Sequence, residues 1–91
     1  MKSVIHKISL RRVDLNSHYT FQLPKGALIL NIQIQDGGPV MWYVFDKSNE
    51  NDLEGRKFHC IGTGISHDFQ RLVYIATVQS GPYVLHFFEE I

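Results

Sequence analysis

The sequence predicts an all-β fold, a single small antiparallel β-sandwich or barrel of about seven strands, and three observations carry that expectation. Apolar and polar residues alternate with period two in segment after segment, whereas a helical period of 3.6 hardly appears. Turn-forming groups of Gly, Pro, Asn and Asp punctuate the chain at intervals suited to hairpins. The segments between them are short, which suits a sandwich or small barrel rather than a helix-crossed sheet.

The first strand is expected at Val4 to Leu10 and the second at His18 to Leu23. Pro24, with its fixed φ, and Gly26, which tolerates a turn, then lead into the clearest strand of all. There Leu28, Leu30, Ile32 and Ile34 alternate with Ile29, Asn31, Gln33 and Gln35. Asp36-Gly37-Gly38-Pro39 is a strong hairpin signal, so Val40 to Phe45 should return antiparallel. Asp46 to Gly55 reads as a polar, acidic loop, and Arg56 to Gly62 as the fifth strand. Thr63 to Gln70 reads as a second loop, and Leu72 to Gln79 and Tyr83 to Glu89 as a final hairpin closed by Ser80-Gly81-Pro82. A single helical turn fits Lys47 to Glu54 or Ile65 to Leu72, and no long helix is expected.

Three of these strands are apolar on both faces: Val40 to Phe45, Leu72 to Val78 and Tyr83 to Phe88. A sheet of a small domain turns one face inward, so the second face needs a cover from other segments or another subunit. Size points the same way. Ninety-one residues make one domain, residues 1–91, and such a chain buries only roughly 64% of its unfolded surface. A homo-oligomer is therefore expected.

Nine basic and nine acidic residues cancel, which excludes the electrostatic footprint of general nucleic-acid binding. The balance is uneven along the chain: residues 1–45 carry five basic and two acidic groups (5 − 2 = +3), residues 46–91 four and seven (4 − 7 = −3). Either the charges mix over one surface, or opposite patches meet between subunits. The lone Cys60 forms no internal disulfide and assembles no thiolate metal site; with no apolar run of signal or membrane length, a cytoplasmic protein is expected.

Catalytic constellations are thin. His6, His18, His59, His67 and His86 fall in different segments without metalloenzyme spacing. Ser66-His67 is no nucleophile elbow, and the carboxylates of the acidic loop read as solvated. The expectation is a protein that is not an enzyme and uses no cofactor or metal. One segment offers binding chemistry. In Arg56 to Gly64, a basic start leads to Gly62-Thr63-Gly64, where exposed backbone N–H groups and a hydroxyl would make an anion-binding concavity; a simple turn with φ > 0 explains the same glycines. Trp42 and Tyr43 are the aromatic candidates for stacking on a nucleotide, with a core or interface anchor as the other reading of Trp42. The candidate ligand-binding set is thus Arg56, Thr63, Gly64, Trp42 and Tyr43.

Taken in order, Pro24-Lys25-Gly26-Ala27 with Ile29-Leu30, Gln33-Ile34-Gln35, a Gly-Pro reversal, Trp42 with Val44 and Asp46, Arg56 with Phe58, Gly62-Thr63-Gly64, Tyr74-Ile75 with Thr77, and Val84 with His86 and Phe88 resemble an uncharacterised family of small tailed-phage and prophage proteins. The resemblance spans roughly Lys7 to Glu89, although Ile65 to Gln70 lacks a longer acidic insertion found in relatives. It implies a phage-encoded β domain acting in the host bacterial cytoplasm and brings no assigned activity. Two functions are then in competition. One is a non-enzymatic binder that sequesters a small anionic ligand, a nucleotide or a nucleotide second messenger of host defence, in pockets of a homo-oligomer. The other is a protein-interaction module, an inhibitor or adaptor of a host protein or a minor virion component, with no small-molecule ligand.

Overall fold

The computed structural model describes residues 2–10 and 13–91. Seven strands appear in chain order: β1 Ser3–Ser9, β2 Ser17–Pro24, β3 Leu28–Gln35, β4 Gly38–Asp46, β5 Leu53–Gly62, β6 Leu72–Ser80 and β7 Tyr83–Glu90. They form two antiparallel sheets, β1-β4-β3 and β2-β5-β7-β6, stacked as in a sandwich and not closed into a barrel. All seven expected strands are present. The main difference lies at Leu53–Gly55, expected in a loop but paired as the start of β5 with Gln22, Leu23 and Pro24. A strand end beside an edge partner needs backbone bonds and not apolar alternation, so its polarity hides it.

Turn chemistry sets the register. Asp36 and Gly37, at φ 52 and 82, form the two-residue link between Gln35 and its partner Gly38. Two positive φ values in succession match the right-handed twist of the flanking strands. The single helical turn falls at Lys47–Asn49, capped by Asp46, whose side chain accepts from the Ser48 N–H. No turn of helix forms over residues 65–72.

The core lies between the sheets. Phe58 and Phe87 from one sheet meet Met41 and Ile32 from the other, with Leu10 and Leu23 at the chain crossings. Burying a side chain of this size contributes about 1.5–3 kcal/mol, which accounts for the strict inward placement of one strand face. Along one side, β3 and β6 run next to each other without a ladder between them. Each carries a register shift there, between Ile29 and Asn31 and between Tyr74 and Ala76. Such bulges bend an edge strand and interrupt its pairing row.

Candidate functional site

Cross-strand register decides which residues share a face. Cys60, Phe87 and Ala76 lie abreast and point into the core, so the next row, Ile61, His86 and Thr77, points to the outer face. Ile61 is nevertheless only 4% exposed. Its cover is the loop from Thr63 to Arg71, which folds back over the outer face. Phe69 sits on Phe88 with ring centroids 5.3 Å apart, and His67 on His59 at 5.5 Å. The loop thus hides part of the second apolar face of the β2-β5-β7-β6 sheet.

Between loop and sheet is a cleft of about 280 Å³ lined by Ile61, Gly62, Thr63, Gly64, Ile65, Phe69, His86 and Phe88. Its floor and walls are aromatic and aliphatic. Its polar side is one hydrogen-bonded chain: Tyr74 Oη to Thr77 Oγ1 at 2.9 Å, Thr77 Oγ1 to His86 Nδ1 at 3.0 Å, and His86 Nε2 to Thr63 Oγ1 at 2.8 Å. A histidine bonded at both ring nitrogens has its ring plane fixed, and its tautomer is set by how the hydroxyls orient. Gly64, at φ +86, turns the chain beside Thr63. Gly62 has a different reason for lacking a side chain. A Cβ there would meet Leu15 Cδ1 at 3.3 Å, and its N–H is already donated to Asn16 Oδ1 at 2.8 Å.

The chain matches, over residues 1–91, the model of a domain of unknown function, DUF7352. It belongs to the DUF7352 family. No curated protein and no solved structure matches it.

The five residues singled out from the sequence lie in three places. Thr63 and Gly64 line the cleft. Arg56 is at the far end of β5, about 23 Å away at about 3.3 Å per residue, and it is committed. Its Nε and Nη2 donate to the two Glu89 carboxylate oxygens, and its Nη1 donates to the Ala27 carbonyl at 2.7 Å. Glu89 holds Arg56 firmly in the charged state, against the opposing effect of burial. This pair ties β5 and β7 to the crossing from β2 to β3. Trp42 is on the other sheet, abreast of Lys7 and Asn31 on its outer face. Tyr43 points the opposite way and stacks on Phe45 at 5.9 Å.

What the sequence did not reveal is His86 as partner of Thr63, with Thr77 and Tyr74 behind it. The signal was faint: Thr77 and His86 stand symmetrically about the Ser80-Gly81-Pro82 turn, so a hairpin in that register pairs them. A smaller hollow of about 130 Å³ adjoins the cleft, bordered by His18, His59 and His67. His59 Nε2 lies 2.8 Å from Glu90 Oε1, and this contact holds the Glu90 carboxyl below its usual range. Among the described residues no three His, Cys, Asp or Glu side chains are grouped to hold a metal ion.

Proposed function

We propose that this DUF7352 protein is a non-enzymatic binding module that holds a small planar ligand, a nucleobase or nucleoside, in the cleft between the Thr63–Arg71 loop and the outer face of its larger sheet. One observation carries the reading: an aromatic and aliphatic slot is bordered on one side by a Thr63–His86 pair that is held in place from behind. Ligand sites of this kind combine apolar walls with a few fixed polar groups, and ring stacking gives about 1–3 kcal/mol per base. The volume, near the lower end of the usual ligand range of about 300–1,000 Å³, suits a base better than a dinucleotide. Among the described residues no Lys or Arg lines the cleft, which favours recognition through the base and not the phosphate. The resemblance to small phage proteins supports placing this binding in an infected bacterial cytoplasm, where capture of a defence nucleotide would act by sequestration.

Calorimetry and thermal shift against nucleosides and their 5′-monophosphates test this. We expect nucleosides to bind as well as monophosphates, Thr63→Val and His86→Phe to weaken binding about tenfold or more, and Arg56→Ala to lower stability without changing affinity. Absence of any shift with every nucleoside, or binding that needs the phosphate and Arg56, overturns the reading. The interaction-module reading keeps one observation of its own. On the outer face of the smaller sheet Ile5 and Leu28 are 58% and 62% exposed on either side of Val44.

A further inference from the structure

That exposed row belongs to a sheet with an open edge. Lys47 N donates to Lys2 O at 2.9 Å and Leu10 N to Pro39 O at 2.8 Å, bracketing the β1–β4 ladder at both ends. Bonded and non-bonded pairs alternate in an antiparallel ladder. The even-numbered residues of β1 therefore bond to β4, and the N–H and C=O groups of Ile5 and Lys7 point away from it. Among the described residues no strand lies beyond β1 in its sheet.

The four sheet edges are not equivalent. β3 and β6 are bulged and run beside each other. The register of β2 is regular, but its outward residues His18, Thr20 and Gln22 are polar and it ends on Pro24, so pairing there would bury no apolar surface. β1 has seven residues in unbroken register, with no proline, and its outward Ile5 continues an apolar row through Val44 to Leu28. A regular edge with apolar residues is a template for another strand. Size supports a second copy as the occupant. The chain exposes 5983 Å², against roughly 5,400 Å² expected of a folded monomer of 10.5 kDa.

We propose that β1 is a self-pairing edge, and that two copies join antiparallel through it about a two-fold axis at His6. This centre sets Ile5 opposite the partner copy's Lys7, and the outward N–H and C=O groups of both then exchange bonds across the axis. It sets Val4 opposite Ile8 on the inner face and Ser3 opposite Ser9. Three strands from each copy become one six-stranded sheet in the order β3-β4-β1-β1-β4-β3, and the two apolar rows meet offset by two residues, with Ile5 diagonal to the partner copy's Ile5 across the axis. His6 faces its own counterpart in a non-bonded pair, the closer kind, with Cα atoms about 4.5 Å apart.

The pairing is therefore sensitive to acid. His6 packs on the rings of Phe45 at 5.0 Å and Tyr43 at 6.3 Å; Lys7 lies on the opposite face, and among the described residues no carboxylate pairs with His6. Two imidazolium ions across the axis would repel with nothing between them to compensate.

Sedimentation equilibrium combined with amide hydrogen exchange tests the assignment. At about pH 7.5 we expect a dimer of two 10.5 kDa chains, with the Ile5 and Lys7 amides protected although neither bonds to β4 within its own chain. Lowering to about pH 5 should weaken association about tenfold or more, and His6→Gln should remove that dependence. Ile5→Lys places like charges opposite each other and should yield a folded monomer. Ile5→Pro deletes only an outward N–H and should do the same, with the circular dichroism of the folded chain retained in both. A monomer at every concentration to about 1 mM, or a dimer in which the Ile5 and Lys7 amides exchange freely, overturns the proposal.

Discussion

Arg56 shows how far a residue's chemistry depends on its neighbours. In isolation it is the obvious anion ligand of this chain, yet its donors go to Glu89 and Ala27, and its role becomes that of a tie between β5, β7 and a chain crossing. Cys60 is as simple in structure as in sequence: 1% exposed, its thiol is pushed up to about 11 by burial. Tyr19, whose hydroxyl is buried without a partner, is raised further still, also chiefly by burial. Both groups ionise more easily in the unfolded chain than in the folded one. The unfolded state thus holds fewer protons above about pH 9, and stability falls as pH rises from there through about 11. Denaturant midpoints measured across that range should drop, Cys60→Ala should flatten the slope, and a thiol reagent at about pH 8 should label Cys60 only on unfolding. Tyr19→Phe should be neutral or stabilising by about 1 kcal/mol, because it removes an unpaired buried hydroxyl.

The elements were the most legible level. Period two and the groups Asp36-Gly37 and Ser80-Gly81-Pro82 are local properties, and local sterics act on them before any tertiary contact exists. Gly37 makes the point measurable. A Cβ there would meet nothing within 4 Å, yet its φ is +82. Gly37→Ala should therefore cost about 1 kcal/mol in denaturant unfolding through backbone strain alone, and equal stability of the two proteins would show that the hairpin does not depend on this turn. Loops were less legible. The segment 63–70 was expected as a loop, but its docking by His67 and Phe69 onto His59 and Phe88 depends on β5 and β7 lying side by side.

At the scale of the whole molecule the two sheets differ in how their outer faces are treated. The larger sheet covers part of its own with the 63–71 loop and gains a cleft in doing so; the smaller sheet leaves Ile5 and Leu28 open. The expected excess of apolar surface is thus real, but part of it has a cover within the chain. Among the described residues, Arg56 and Lys57 of β5 pair with Glu89 and Glu90 of β7, and Arg56 also lies 3.8 Å from Glu54 in its own strand. Exchange rates should report the architecture. β4, bonded on both sides, should carry amides at least about tenfold more protected than the outer edge of β6, and the reverse order would contradict the strand arrangement.

The sequence by itself determined the strands, their turns and the antiparallel pairing of hairpin neighbours, because alternation and φ preferences are written residue by residue. It also marked Thr63 and Gly64. Only the tertiary structure decided that β2 pairs with β5 and β5 with β7, and with that pairing every cross-strand relation that matters here: Arg56 with Glu89, Thr63 with His86, the loop with the outer face. The Arg56–Glu89 and Thr63–His86 contacts join residues 33 and 23 positions apart. No local pattern encodes them, because they follow from which apolar faces can be buried together and which are left to be covered.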